Sequence, residues 1–198
     1  MKSNAKTKVP AVSEVMLKLS KHIAGSLAKP APKQVAERAK LHMVDIFAAM
    51  ISGSRLEPGK HALKYVKALG GKPEAGVIGS KIVTSAQNAA LANGMCGHAD
   101  ETDDTHPPSL THPGTSCVPA ALAIGERNRM SGEEMLRAVV TGYDICARML
   151  LTLHPMPYLR SGHHAGATGQ VFGAAASAGA MLGLTPLQVR YMLSYTGQ

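Results

Sequence analysis

Apolar residues in this chain return at intervals of three and four in segment after segment, and most of these segments are fenced by a proline, a glycine or a capping hydroxyl. That period lays one stripe along an α-helix and does not line one face of a strand. Val12, Val15, Met16, Leu19, Ile23 and Leu27 give a first helix, which K-P-A-P at 29–32 ends. Pro32 suits the first turn of a second helix, running to about residue 51 through Val35, Ala39, Met43, Val44, Ile46, Phe47 and Met50. A third spans roughly 59–69. Thr84 or Ser85 caps a fourth, expected to turn Ala86, Ala89, Ala90, Leu91 and Met95 inward. A fifth starts at Thr115 or Ser116, and Ser131 with Glu134 forms a capping box for a long helix to about residue 153. Thr185-Pro186 opens the last. Only A-G-V-I-G-S-K-I-V at 75–83 is β-like. The expected fold is all-α: a helical domain of about seven helices over residues 11–198, a short β-like segment near 75–83, and a flexible tail at 1–10.

Composition narrows what such helices can do. Aromatic residues make up 4% of the chain and Trp is absent, so small residues and Met fill the core. In G-A-T-G-Q-V-F-G-A-A-A-S-A-G-A-M-L-G (166–183), Gly166, Gly169, Gly173, Ala176 and Ala180 form one smooth face that another backbone can approach closely. No run reaches the roughly 18 apolar residues of a membrane span. The basic N-terminus lacks the apolar stretch of a secretory signal. Cys96, Cys117 and Cys146 are odd in number and match no CxxC spacing, which fits reduced thiols in a cytoplasmic protein. The net charge of +8 is concentrated in the first forty residues. No nucleic-acid motif accompanies it, and few aromatics are available to stack on bases, so no nucleic-acid partner is expected. A basic balance also suits an enzyme for small polyanions.

Two loops interrupt the helices. The first, H-A-D-E-T-D-D-T-H-P-P-S-L-T-H-P-G (98–114), packs Asp100, Glu101, Asp103 and Asp104 together with His98, His106 and His112, and stiffens them with Pro107, Pro108 and Pro113. Acids this close repel one another, which suits a site that moves protons or holds a metal. The spacing fits no standard zinc or calcium pattern, and no metal is expected. General acid–base work needs only one tuned carboxylate or imidazole within reach of a proton, and Glu101, the Asp103-Asp104 pair and His112 offer that. The second loop, H-P-M-P-Y-L-R-S-G-H-H-A-G (154–166), places His163 and His164 at the mouth of a helix, where free N–H groups favour an anion. His22, His42 and His61 are assigned to helix surfaces and packing. The chain has no nucleophile elbow, P-loop, HExxH or dinucleotide fingerprint.

Several motifs occur in order: D-I-F-A-A-M-I-S-G-S (45–54), A-A-L-A-N-G (89–94), H-A-D-E-T-D-D-T-H (98–106), H-P-G (112–114) and H-H-A-G-A-T-G-Q-V-F-G-A-A (163–175). In these the chain resembles the MmgE/PrpD family, which includes 2-methylcitrate dehydratases, cis-aconitate decarboxylase and iminodisuccinate epimerase. The resemblance implies a helical domain of a cofactor-free, homodimeric lyase or isomerase acting on small di- or tricarboxylates, 2-methylcitrate dehydratase-like and serving propionate metabolism. It implies catalytic roles for Glu101, Asp103, Asp104, His112 and His164, with Asp100, Thr105, His163 and His98 binding substrate. Glu101 stands where Asp is usual, and one extra residue separates Thr105 from His112. The family also supplies lysines and a lid-like C-terminal domain beyond the region matched here. The expectation is therefore either a dehydratase completed by a missing C-terminal half or a second copy, or a truncated or split module without activity alone. Decarboxylase or epimerase chemistry of the same family stays open.

Overall fold

The computed structural model describes residues 12–198, and the expected tail at 1–10 lies outside the described residues. Among these, nine α-helices, two short 3-10 turns and one small hairpin form the regular structure, where about seven helices were expected. Helix α1 (Glu14–Gly25) is capped by Ser13, whose hydroxyl accepts from the Met16 N–H. Helix α2 (Lys33–Gly53) begins directly after Pro32. Helix α3 (Glu57–Leu69) carries Pro58 in its first turn and stops at Gly70, whose φ of 64° leaves the helical region. Strands β1 (Ala75–Gly76) and β2 (Val83–Thr84) pair antiparallel, as the β-like segment implied. Helix α4 (Ala86–Gly97) is capped by Ser85, α5 (Gly114–Asn128) follows Pro113, and α6 (Gly132–Thr152) starts at the Ser131–Glu134 capping box. Helix α7 (Pro155–Arg160) is short, and α8 (Ala165–Met181) and α9 (Pro186–Thr196) end the chain. The all-α expectation holds.

Helix α7 is the unexpected helix. Its sequence, P-M-P-Y-L-R, reads as a loop because of its prolines. Both prolines lie in the first turn, however, where an N–H has no intrahelical partner to lose.

The core forms around α8, which packs chiefly on α6 and α5. The small-residue face is buried as expected. Gly142 of α6 and Gly173 of α8 meet across the seam: a Cβ on Gly173 would stand 2.8 Å from both Cys117 Sγ and Cys146 Cβ. Ile46, Met50, Val118, Val139 and Met181 fill the centre. Ile23, Ile145, Val189 and Leu193 join α1, α6 and α9. A fully buried side chain such as Ile46 contributes about 1.5–3 kcal/mol through lost apolar hydration.

The inward face of α4 differs from the expected one. Leu91 and Met95 are 45% and 40% exposed, while Ala92, Asn93 and Cys96 are buried. Asn93 turns inward because the hairpin needs it: its Oδ1 accepts from Ile78 N at 2.9 Å and its Nδ2 donates to Gly76 O at 3.1 Å. Each hairpin backbone group that Asn93 satisfies would cost about 1–3 kcal/mol if buried unpaired. No described helix is long and apolar enough to cross a membrane. The acidic loop is thus strung between the end of α4 and the start of α5.

Candidate active site

The acidic loop is built from short-range turns and a few long ties. His98 ends α4, and Glu101 adopts a left-handed φ of 56°, a conformation that costs a residue with a Cβ about 1 kcal/mol or more. Asp100 turns back on the loop, its Oδ1 accepting from Thr102 Oγ1 at 2.8 Å and Thr102 N at 3.4 Å. Hydrogen bonds from Ser52 and Thr102 hold its carboxyl below the usual carboxylate range. His106 is absorbed into loop structure: its N–H donates to Thr111 O, and its Nδ1 lies 2.7 Å from Ser109 Oγ. Ser109 and Thr111 are fully buried and share a 2.7 Å hydroxyl contact.

At the centre stands Asp103, whose side chain is wholly buried. Its Oδ1 is 3.0 Å from His98 Nδ1 and its Oδ2 is 3.0 Å from His112 Nδ1. The two imidazoles lie with centroids 5.4 Å apart. A carboxylate only accepts, so each ring donates from Nδ1 and keeps Nε2 free. Thr105 Oγ1 is 3.4 Å from His112 Nδ1, and Glu101 Oε1 is 3.9 Å from His98 Nε2. His98, Asp103, His112, Thr105 and Glu101 are therefore brought together.

Asp104 faces elsewhere. Its Oδ1 accepts from Gly114 N at 2.9 Å and its Oδ2 lies 3.4 Å from His42 Nδ1. Burial pushes its carboxyl above the usual range, against the pull of the Tyr143 hydroxyl and the Gly114 amide. The Tyr143 hydroxyl is buried with no partner of ordinary hydrogen-bond geometry among the described residues. Burial and the Asp104 charge push that phenol well up.

The second loop carries its histidines separately. His164 caps α8, its Nδ1 accepting from Ala167 N at 2.9 Å. That fixes the tautomer of the neutral ring and leaves Nε2–H outward. His163 lies 2.9 Å from Ser161 Oγ and stacks on Tyr158 at 4.8 Å. Neither ring makes a hydrogen bond or ion pair with the acidic loop among the described residues. The link is Gln170 of α8, whose Nε2 donates to His112 O and to Thr115 Oγ1, both at 2.7 Å. Sequence reading missed Gln170 and His42. Gln170 lay inside the H-H-A-G-A-T-G-Q motif, its one visible signal, while His42 broke the apolar stripe of α2.

Two imidazoles on one buried carboxylate suit proton transfer: one ring can take a proton while the other gives one. The same three side chains offer one ring nitrogen from each histidine and a carboxylate oxygen within 4.8 Å of one another, a donor set that also binds transition metals. The three thiols are buried, and burial raises each, Cys146 to about 11, so none is poised as a nucleophile.

A family model described as MmgE/PrpD N-terminal domain matches residues 17–198. The chain is 30% identical over 165 residues to a cis-aconitate decarboxylase-like protein of Aspergillus oryzae, covering 78% of this chain and 34% of that protein. It is 32% identical over 196 residues to a cis-aconitate decarboxylase of Aspergillus terreus, covering 93% of this chain and 37% of that protein. A second Aspergillus terreus decarboxylase is 32% identical over 177 residues, covering 83% and 35%. The chain thus spans about a third of the length of the curated relatives it matches.

Proposed function

The chain belongs to the MmgE/PrpD family, and from that premise we propose that it carries the acid–base part of a lyase site for small di- and tricarboxylates. The pairing of His98 and His112 on buried Asp103 is the observation that carries this reading. The names of the relatives favour decarboxylation of a cis-aconitate-like acid. In that reaction the bond to the carboxylate on the methylene carbon breaks and CO₂ leaves. The released electron pair forms a new double bond, and the far carbon of the old one takes a proton. His112, taken as the imidazolium with Nδ1–H on Asp103 and a second proton on Nε2, is the donor in this reading, with His98 and Glu101 returning a proton to it from solvent. His164 is the second donor if substrate bridges the two loops. The substrate's carboxylates are then held in part by groups beyond these residues, in further chain or in a second copy.

Dehydration of a 2-methylcitrate-like hydroxy acid is the second reading. It asks for a base at the carbon next to a carboxylate and an acid at the leaving hydroxyl, which the paired imidazoles also offer. The expected site needs no metal or organic cofactor for either reaction.

The test is consumption of cis-aconitate and of 2-methylcitrate, followed by mass spectrometry with chelator present. It is run with and without a polypeptide covering the rest of a relative. Loss of CO₂ from cis-aconitate, falling on the order of 10²-fold in His112→Ala, supports decarboxylation. Loss of water from 2-methylcitrate selects the second reading. Full turnover by His112→Ala removes the proposed donor, and activity that chelator abolishes makes the His98–Asp103–His112 cluster a metal centre instead.

A further inference from the structure

Asp103 and Asp104 are neighbours in sequence and face opposite ways. Asp103 meets the rings of His98 and His112. Asp104 points back into the domain, and it makes no hydrogen bond to either ring. Its environment is assembled from three helices: His42 of α2, Gly114 at the first residue of α5, and Tyr143 of α6, with the neighbouring Asp103 charge and the Cys117 thiol also near.

The space at Gly114 is fitted to this contact. A Cβ there would stand 2.5 Å from Asp104 Oδ1 and would press into the Ile46 side chain of α2. Position 114 therefore takes nothing larger than glycine while the Asp104 bond exists. The residues between are held just as closely. His112 O accepts from Thr115 Oγ1 at 2.9 Å and from Gln170 Nε2 at 2.7 Å. Pro113 fixes its own φ. With the backbone of 112–115 fastened this way, the direction of the His112 ring follows from where the first turn of α5 is placed.

We infer that Asp104 is a positioning residue: its carboxylate clamps the first turn of α5 against α2 and so aims the His112 ring at Asp103. This rests on the proposed acid–base role of His112, and it moves Asp104 out of the proton-carrying group to which the D-D pair assigned it. The contact asks for an acceptor at Oδ1. A negative charge is not what holds the amide, because a neutral carbonyl oxygen accepts from a backbone N–H equally well in kind. A group that carries protons and a group that clamps an amide therefore respond differently to the same isosteric change.

The experiment compares Asp104→Asn, Asp104→Ala and Gly114→Ala in the protein used for the turnover assay. Asp104→Asn keeps an oxygen for Gly114 N and should keep kcat within about threefold of the parent. Asp104→Ala and Gly114→Ala break the contact from its two sides. Each should lower kcat by about 30-fold or more with KM within about threefold, since misplacement by an ångström costs rate without removing binding groups. Helical circular dichroism should persist in all three. A second readout needs no substrate: amide hydrogen exchange at position 114 should quicken about tenfold or more in Asp104→Ala and stay slow in Asp104→Asn.

If Asp104→Asn loses as much turnover as Asp104→Ala, the proton or charge matters and the clamp is overturned. A position-114 amide as protected in Asp104→Ala as in the parent overturns it whatever the activity. Should the parent turn over neither acid while the exchange pattern follows expectation, the clamp stands and the proposed function fails. Should Asp104→Ala not fold, Asp104→Asn and Gly114→Ala still decide between the two roles.

Discussion

The two histidine-bearing loops are held in different ways. Residues 98–114 are tied to distant parts of the chain, Asp104 to His42 on α2 and His112 O to Gln170 on α8. The segment from Leu153 to His164 closes on itself. Ser161 Oγ donates to Tyr158 O, His163 leans on Ser161 and Tyr158, and His164 caps the helix it begins. The first loop carries its geometry within the domain. The second holds only local shape, apart from the Tyr158 hydroxyl touching Thr168. His112 is thus preset, while His164 is placed by its own helix alone.

Removing the centre of the preset loop is the harshest test of that contrast. Asp103→Asn should cut turnover on the order of 10²- to 10⁴-fold, because an amide at that position no longer accepts from both Nδ1–H groups. Steady-state kinetics will read it, and unaltered turnover would break the comparison at its base. His164→Ala should come next, with turnover down by about 10²-fold but stability lower by only ~0.5–2 kcal/mol, the size of a lost cap. His164→Asn restores the cap and should restore stability without turnover, as denaturant melts would show. A larger stability loss in His164→Ala would mean the second loop is braced across the domain after all.

Gln170→Leu sharpens the same contrast in stability. It removes two hydrogen bonds, to His112 O and to Thr115 Oγ1, while Thr115 Oγ1 still donates to His112 O, and should cost ~1–3 kcal/mol. Ser161→Ala, by comparison, loses local contacts on an exposed loop and should stay within about 0.5 kcal/mol. Equal losses would erase the distinction. The mildest effect is in pH. Burial raises Asp104 above its ordinary value of 3.8, so the folded state binds its proton more tightly than the unfolded state does. The folded protein therefore loses stability from this group as pH rises from about 3.8 through the folded value, and the cost stays constant above it. Asp104→Asn should then gain on the parent over that window and match its pH dependence below it. Urea midpoints from pH 3 to 7 will show whether the two curves converge at the acid end.

Local signals were the legible ones. Ser85, Ser131 and Thr185 announced their helices because a cap is satisfied within three residues. The acids and histidines of 98–114 announced a site by type alone, and the Gly and Ala face of 166–183 foretold the α6–α8 seam. What stayed hidden depended on partners far along the chain. Asn93 is buried because a hairpin requires its amide, and Leu91 and Met95 are displaced outward as a result. His42 and Gln170 find partners 62 and 58 residues away, so no window of sequence contains both ends of either contact. The D-D pair showed two acids together and not that they would face apart, because which way Asp104 points is decided by Gly114 and α2.

The glycine seam has a mechanical meaning. Where Gly142 and Gly173 let α6 and α8 meet backbone to backbone, no side-chain layer remains to shear, and the two helices behave as a single beam. The second loop is a strap with one end fastened to α6 at Leu153 and the other to α8 at His164. Its anchor points cannot drift apart. The His164 ring is left with rotation about its own side-chain bonds as its range of travel, so a ligand shared by both loops has to be brought within the sweep of that ring.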